Sequence, residues 1–266
     1  MLWLIGVALL VYLALAGVVW HQQEALLYPA PRGAGEPVQG FRTIAYDTAD
    51  GLRLAGGYRA AVPGKPTLLF FHGNAATWQS SAEILSPLAA EGYGVFAASY
   101  RGYRANPGRP SEPGLYRDAG AAADWLAANG VVAADLVIVG NSLGSGPAVE
   151  LARERAPRGL ALVSPFSSMV ELPAANVRWL PVRWLMRDRY DNAAKLPMIA
   201  APVLIVHGER DTLIPLSHAQ ALVRLAPRGR LVTVPDAGHD LVARPETPAL
   251  LSAWLAELNE GARIGP

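Results

Sequence analysis

The chain has 266 residues, of which 52% are hydrophobic and 17% are charged, and its formal net charge is +1 at pH 7. This length suits one domain with a sizeable core, and this composition excludes a disordered chain. The near-neutral charge and the absence of a long basic run argue against a nucleic-acid partner. The sequence contains no cysteine, which excludes disulfides, thiol catalysis and thiolate metal sites.

The N-terminal stretch is apolar enough to form a transmembrane helix. Met1 to Trp20 contains no charged side chain, and about 20 helical residues span about 30 Å, the thickness of the hydrocarbon core of a bilayer. A cleaved signal peptide is the alternative, because Ala14-Leu15-Ala16 resembles a cleavage site. Against it, the stretch has no Lys or Arg at its start, and the apolar run continues past that site. We therefore expect residues 1–22 to be a single-pass membrane anchor.

A stretch rich in turn-forming residues separates this segment from the first predicted strands. Pro29 to Pro37 is dominated by Pro and Gly, so residues 23–40 are expected to be a linker and residues 41–260 the folded domain. Residues 41–46 and 52–59 have the pattern of two strands around a polar turn. They predict an antiparallel hairpin at the start of the domain.

From Pro66 onward, apolar runs alternate with helical stretches. The runs are continuously apolar, as in a parallel sheet that is covered on both faces. The sequence therefore predicts an α/β fold with a mostly parallel central sheet and helices on both faces. The predicted strands are 67–71, 95–100, 136–139, 160–163, 203–206 and 231–234, and the predicted helices are 80–90, 113–129, 143–155, 216–225 and 249–258. Ser80 and Glu83 form the pattern of a capping box for the first of these helices.

One connection in this pattern is longer than an α/β fold usually needs. We predict that residues 165–198 form a small cap insertion, because ligands of α/β sheets bind beyond the carboxyl ends of the strands, where this stretch emerges. A helical excursion packed on the edge of the fold is the alternative. The candidate substrate-binding residues are the apolar side chains of this stretch: Trp179, Leu180, Trp184, Leu185 and Met186.

A serine stands at the sharpest predicted turn. The strand at 136–139 runs into Gly140-Asn141-Ser142-Leu143-Gly144, and a helical stretch follows at once. This matches G-x-S-x-G, the nucleophile elbow, in which glycines flank the serine because the turn is too tight for side chains there. A glycine-rich turn without chemistry is the alternative for so short a motif. Ser142 becomes a candidate nucleophile only when other residues converge on it.

Two further strands end in loops that carry the residues such a nucleophile needs. A serine hydroxyl requires a base that takes its proton and a third group that orients the base. Asp211 and His239 each follow the end of a predicted strand, which gives the chain order Ser, acid, His of elbow-type enzymes. We therefore predict Ser142, Asp211 and His239 as a catalytic triad. Glu209 is the alternative acid.

Other histidines and serines fit these roles less well. His207 ends a strand, where it is expected to pack or to hydrogen-bond locally, and His218 lies on a helix. Ser145 is one helical turn past Ser142 and is expected to point away from the site. No pair of histidines or carboxylates has metal-ligand spacing, so we predict no metal and no cofactor.

Acyl transfer also needs N–H donors for the oxyanion that forms on the carbonyl. Leu143, the residue after the nucleophile, is expected to supply one. The loop after the strand at 67–71 reads His72-Gly73-Asn74-Ala75, and its small residues let the backbone approach a substrate. The Asn74 N–H is therefore the second candidate donor, and His72 is expected to lock the loop.

These motifs together resemble those of the α/β-hydrolase superfamily. The resemblance rests on His72-Gly73-Asn74-Ala75, Gly140-Asn141-Ser142-Leu143-Gly144, His207-Gly208-Glu209-Arg210-Asp211 and Gly238-His239-Asp240. Further stretches resemble the branch of N-terminally membrane-anchored serine hydrolases related to protein depalmitoylases and lysophospholipid lipases; they are Tyr100-Arg101-Gly102-Tyr103, residues 110–116 and Ser164-Pro165-Phe166. The similarity covers roughly Ala25 to Leu258. One departure is Ala76, where this family usually has glycine.

The resemblance implies a serine hydrolase that cleaves acyl esters or thioesters through an acyl-enzyme intermediate. A serine peptidase of the oligopeptidase-related branch and a non-catalytic α/β-hydrolase scaffold are the alternatives. The expected partners are a small acyl or lipid-like substrate and, through the N-terminal helix, a membrane; no nucleic acid and no obligate protein partner are expected. We expect a bacterial inner membrane, with the domain on the periplasmic side, although the basic residues near the anchor leave its orientation open.

Overall fold

An eight-stranded sheet forms the centre of the protein. In the computed structural model, which describes residues 2–33, 35–172 and 179–263, the strand order is β1-β2-β4-β3-β5-β6-β7-β8. The strands are β1 (Arg42–Asp47), β2 (Arg53–Arg59), β3 (Thr67–Phe71), β4 (Gly94–Ala97), β5 (Leu136–Asn141), β6 (Gly159–Val163), β7 (Val203–Gly208) and β8 (Gly229–Val234).

The pairing confirms the predicted division of the sheet. Strands β1 and β2 form the expected antiparallel hairpin, and β2 also pairs antiparallel with β4. Every other neighbouring pair is parallel, from β4-β3 through β7-β8. The carboxyl ends of β3 and β5 to β8 therefore lie along one edge, which is where the predicted site residues follow their strands.

Helices cover both faces of the sheet, as predicted. Alternate residues of β5 enter opposite cores: Ile138 lies in one, and Val137 and Val139 lie in the other. The helices of the folded domain are α3 (Trp78–Ala90), α4 (Glu112–Ala128), α5 (Ser145–Arg155), the single turns α6 (Val182–Leu185) and α7 (Asn192–Lys195), α8 (Leu216–Leu225) and α9 (Glu246–Arg263).

The start of α3 differs from the prediction. Thr77 is the N-cap, and its side-chain oxygen accepts from the Ser80 N–H while the Ser80 hydroxyl accepts from the Thr77 N–H. The predicted capping box of Ser80 and Glu83 is therefore wrong. Thr77 takes the cap because its extended backbone aims the hydroxyl at the first turn.

The N-terminal segment begins with α1 (Leu2–His21) and the short α2 (Gln23–Leu27). Helix α1 is long and apolar enough to cross a membrane, which a signal sequence also would be. The stretch expected to be a linker is docked on the domain, because Tyr28 is buried and Glu24 pairs with Arg109. The composition of this stretch did not indicate these contacts, because the residues that it touches lie far along the chain.

Candidate active site

Ser142 lies on a strained turn between β5 and α5. Residues Ser142–Gly144 form one 3-10 turn, and the φ angle of Ser142 is +50°, in the left-handed region. A side chain at Gly140 would collide with the Gly144 carbonyl, and one at Gly144 would collide with the Phe71 carbonyl. Strain of this kind at a polar residue is typical of functional turns, and it matches the geometry of a nucleophile elbow.

A chain of hydrogen bonds joins Ser142 to two other strand ends. The Ser142 hydroxyl oxygen lies 2.9 Å from His239 Nε2, and His239 Nδ1 lies 2.8 Å from Asp211 Oδ2. Asp211 follows β7, and His239 opens a 3-10 turn after β8. The three residues predicted as a triad are thus brought together at the carboxyl edge of the sheet.

The Asp211 carboxylate is fixed and ionised. Its Oδ1 accepts from the N–H groups of Leu213 and Ile214, at 3.0 and 2.8 Å. Burial by itself would raise the pKa of Asp211, but the hydrogen bonds from His239 and Ile214 outweigh it and hold the pKa below its ordinary value. Asp211 can therefore orient the imidazole and stabilise its protonated form.

His207 supports the loop that carries Asp211. Its side chain is fully buried, its Nε2 lies 2.8 Å from the Ile214 carbonyl oxygen, and burial lowers its pKa. The neutral ring therefore donates from Nε2 to Ile214, and the same nitrogen is 3.6 Å from Asp211 Oδ2. The sequence predicted a local hydrogen bond for His207, but it did not predict that this bond stabilises the loop that carries Asp211.

The candidate oxyanion donors lie on the turn that carries Ser142 and on the loop that approaches it. Leu143 is inside the 3-10 turn, whose first N–H groups have no partner within the turn. In the part of the chain that the structure describes, the Asn74 N–H donates to no protein acceptor. The Asn74 side chain accepts from the Tyr103 hydroxyl at 3.0 Å. A side chain at Gly73 would lie 3.2 Å from Ser142 Cβ, so the loop approaches the serine closely.

His72 stabilises the loop that carries Gly73 and Asn74. Its Nδ1 lies 2.9 Å from the Gly73 carbonyl, its own carbonyl accepts from the Tyr100 hydroxyl at 2.8 Å, and its ring packs against Tyr100 and Tyr103. Burial lowers the pKa of His72 to about 4, so the ring is neutral. This arrangement fits the loop-locking role predicted for it.

Ser145 stabilises the backbone of Ser142 through a hydrogen bond. Its hydroxyl donates to the Ser142 carbonyl at 2.7 Å and accepts from the Asn192 amide at 3.2 Å. Both side chains are fully buried, so Ser145 points away from the site as predicted. Asn192 is a supporting residue that could not be identified from the sequence, because it lies in the predicted cap and its partner Ser145 stands 47 residues earlier in the chain.

His218 and Glu209, the other residues weighed for the base and the acid, have hydrogen-bond partners outside the triad. The Ser167 hydroxyl lies 2.8 Å from His218 Nδ1, and Glu209 accepts from the Thr233 hydroxyl at 2.8 Å. Glu209 is exposed and makes no contact with His239 in the described residues, whereas Asp211 does. Within residues 2–33, 35–172 and 179–263, no cluster of three metal-ligating side chains occurs.

Four of the five residues proposed to bind substrate lie beside α1 and α2. Trp179, Leu180, Leu185 and Met186 line an apolar cavity of about 370 Å³ together with Val19, Gln23, Leu26, Leu27 and Val182. None of the triad residues lines this cavity. Trp184 does not line it either: its side chain is 90% exposed, because the turn of α6 directs it outward. Residues 173–178 of the predicted cap lie outside the described residues.

Comparisons with known proteins agree with this fold. The family model described as the alpha/beta hydrolase fold matches residues 66–200, and that of TAP-like proteins matches residues 181–260. The chain is 37% identical to the Mycobacterium tuberculosis protein Rv2307c over 97% of this chain and 96% of that one. It is 33% identical to the human alpha/beta hydrolase domain-containing protein 17B over 73% and 67% of the two chains.

A solved structure shows the same architecture. The esterase of Pyrococcus furiosus superposes with a TM-score of 0.69 at 19% identity, over 86% of this chain and 96% of that chain. The family match, which includes half of the chain, and the human alpha/beta hydrolase domain-containing relative define the class. The chain belongs to the α/β-hydrolase family.

Proposed function

We propose that the protein is a membrane-anchored serine hydrolase that cleaves acyl esters or thioesters. The observation that carries the proposal is the hydrogen-bonded chain from Ser142 through the His239 ring to Asp211. It places a hydroxyl, a base and a buried carboxylate in the order that activates a serine nucleophile. The strained backbone at Ser142 supports the same role.

The proposed reaction has two halves. Ser142 Oγ attacks the acyl carbonyl while its proton passes to His239 Nε2, and the bond to the leaving oxygen or sulfur breaks as His239 returns that proton to the leaving atom. Water then attacks the acyl-serine ester, giving one proton to His239, and Ser142 leaves with a proton from the same ring. A carboxylic acid and an alcohol or thiol are the products.

The N–H groups of Leu143 and Asn74 are the proposed oxyanion donors. They lie on the turn after Ser142 and on the loop that approaches it. Removing one such donor typically costs about 3 kcal/mol of transition-state stabilisation. Gly73 supports this role, because its missing side chain leaves room beside Ser142 Cβ.

Anchoring by α1 is the second part of the proposal. Apart from a stripe of three half-buried residues, every residue of α1 is exposed to the surroundings, which a soluble helix this apolar would not tolerate. A hydrolase held at a bilayer meets substrates with long acyl chains. Each methylene that a substrate buries contributes about 0.8 kcal/mol, or roughly fourfold in binding. We therefore expect kcat/KM to rise from acetyl to medium-length esters.

Fluorophosphonate labelling of the full-length protein in detergent tests the proposed chemistry. We expect one covalent adduct, located on Ser142 by peptide mass spectrometry, and hydrolysis of p-nitrophenyl esters that exceeds hydrolysis of peptide p-nitroanilides. Thioester cleavage can be followed with a thiol reagent, because the chain has no cysteine of its own. Efficient anilide cleavage would indicate a peptidase. Neither labelling nor turnover would indicate a non-catalytic scaffold.

A further inference from the structure

Residues 179–186, here called the cap turn, lie along the second half of α1. Helix α1 has three residues that are less exposed than the rest, Tyr12, Ala16 and Val19, and buried Gln23 continues the same spacing. Positions three and four apart share one face of a helix. This face meets the cap turn, where Leu180 and Val182 form a small apolar cluster with Ala16 and Val19.

Polar contacts fix the two segments to one another at both ends. Near the middle of α1, the Tyr12 hydroxyl donates to the Trp179 carbonyl at 3.2 Å, and their rings lie 6.3 Å apart. At the other end, the Gln23 amide donates to the Leu185 carbonyl at 2.8 Å and accepts from the Arg187 N–H at 3.0 Å.

The position of Tyr12 along α1 determines how deep the cap turn would lie in a bilayer. Tyr12 precedes His21 by nine residues, or about 14 Å of helix. If α1 crosses a bilayer with a hydrocarbon core of about 30 Å, Tyr12 lies near its middle. Helical side chains lean toward the N-terminus, so the Tyr12 hydroxyl is no closer to His21 than its backbone is. Its partner Trp179 must then lie within the hydrocarbon as well.

The composition of the cap turn suits that environment. Seven of its eight residues are apolar, and the exception, Arg183, pairs with Glu171 at 2.8 Å. Trp184 and Trp179 are 90% and 58% exposed and extend the exposed apolar surface of α1, and a large apolar patch marks a membrane or protein interaction site. Where the segment leaves this region, the Arg187 guanidinium lies over the Trp20 ring at 4.9 Å. Aromatic and basic side chains of this kind collect at the membrane interface.

The backbone of the cap turn is largely satisfied without water. The N–H groups of Val182, Trp184, Leu185 and Met186 donate to carbonyls of the same segment. The carbonyls of Trp179, Arg183 and Leu185 accept from side chains. Backbone placed in hydrocarbon must be paired in this way, because an unpaired polar group there is costly.

We propose that the cap turn is a second membrane-embedded element, sunk in one leaflet beside α1, and that a lipid acyl chain occupies the cavity between them. The cavity is about 370 Å³ and is lined by carbon-rich side chains of both segments, including Val19, Leu180 and Met186. An acyl chain is the occupant because eight of the nine lining residues are apolar and the lining includes Val19 of α1, the helix that the bilayer would surround. This inference rests on the anchoring role proposed for α1.

Single-cysteine labelling tests the depth, since the chain has no native cysteine. Trp184→Cys, Val11→Cys and Val132→Cys each replace an exposed apolar residue; Val11 lies within α1 and Val132 precedes β5, at the opposite edge of the sheet. Each full-length variant is labelled with an NBD dye in phosphatidylcholine vesicles. Quenching is measured with a nitroxide on the lipid acyl chain and with aqueous iodide.

We expect the Trp184 probe to be quenched by the nitroxide lipid as strongly as the Val11 probe and to resist iodide, while the Val132 probe shows the reverse. A Trp184 probe that behaves like the Val132 probe overturns the proposal while the anchor stands. If the Val11 probe is also quenched by iodide, the anchor is wrong and the cap-turn proposal falls with it. Ester hydrolysis, measured separately, reports on the triad in either case.

Lipid with brominated acyl chains tests the occupant of the cavity, because bromine quenches tryptophan on contact. The wild-type protein should lose a larger share of its fluorescence than Trp179→Phe, since Trp179 lines the cavity. Trp184→Phe is the matched comparison, because Trp184 belongs to the same segment but does not line the cavity. Equal quenching of the wild type and Trp179→Phe would contradict occupation by an acyl chain.

Discussion

The hydroxyl of Tyr28 lies 2.8 Å from the hydroxyl of Tyr190, which joins the segment behind α1 to the segment that follows the cap turn. Tyr28 also donates to Asp188 at 2.8 Å, and Asp188 accepts from the Glu112 N–H at the start of α4. Both tyrosines are buried. The first residues after α1 are therefore part of the folded domain, although α1 itself touches little of it.

Truncation at two positions should separate anchoring from folding. A chain that begins at His21 loses all but the last residue of α1 and keeps Tyr28, and it should no longer span a bilayer but should be folded and active on small esters. A chain that begins at Pro31 also loses Tyr28, and its free energy of unfolding should fall by about 1.5–3 kcal/mol, as expected for removal of a buried aromatic side chain. Urea denaturation of both forms measures the difference. If the first form misfolds while the full-length protein is stable, α1 belongs to the core.

Asp211 and Glu209 should differ sharply when each is changed to its amide. Asp211→Asn favours the wrong tautomer of His239, and the loss in kcat can reach about 10⁴-fold. Glu209→Gln is the matched control, because Glu209 contacts Thr233 rather than the imidazole. Steady-state ester hydrolysis distinguishes them. A larger loss for Glu209→Gln would reassign the acid.

His207 should act as a positioning residue for Asp211. Glutamine can place an N–H near the position of His207 Nε2 and so keep the bond to the Ile214 carbonyl, whereas leucine cannot. We expect His207→Leu to lower kcat about tenfold or more and to shift the acid limb of the pH–rate profile, which reports the base, and we expect His207→Gln to restore much of both. Equal damage by the two variants, with an unchanged pH profile, would indicate a packing role only.

The stability of the protein should fall as the pH drops from 7 toward 4. Burial lowers the pKa of His72 to about 4 in the folded protein, while the unfolded chain keeps a value of about 6.5. Between these values the unfolded chain binds a proton that the folded protein does not. The contribution is therefore fully present above about pH 6.5 and is lost toward pH 4, and it amounts to about 3 kcal/mol.

His72→Gln tests this assignment. The free energy of unfolding of the variant should depend less steeply on pH, because one proton-binding group of the unfolded chain is gone. His207 and His218, whose pKa values burial also lowers, should keep part of the slope. Denaturation of the form that begins at His21 at several pH values measures the slope, and an unchanged slope in the variant would be inconsistent with a buried neutral His72.

Much of this arrangement could be predicted because it follows from local pattern. Continuous apolar runs fixed the position of the parallel strands, and Ser142, Asp211 and His239 each stand directly after one of them, so a shared edge brings them together. The tight turn at Ser142 could be predicted equally well, because only glycine fits at Gly140 and Gly144.

The features that escaped prediction depend on partners far along the chain. Tyr28 reads as part of a linker until Asp188 and Tyr190, about 160 residues later, are placed beside it. The composition of the cap shows that it is apolar but not that Leu180 faces α1 while Trp184 faces outward. The proximity of Ser145 to Asn192 is of the same kind.

The central claim is that Ser142 is the nucleophile, and Ser142→Ala tests it most directly. Ser167→Ala is the matched control, because Ser167 also has a histidine within hydrogen-bond distance but lies outside the Ser142–His239–Asp211 chain. The measurement is p-nitrophenyl ester hydrolysis by the two purified variants, together with fluorophosphonate labelling. We predict that Ser142→Ala remains folded, loses the label and loses about 10⁴-fold in turnover, while Ser167→Ala keeps both. A Ser142→Ala protein that retained even about a tenth of the activity, or that still carried the label, would contradict the account.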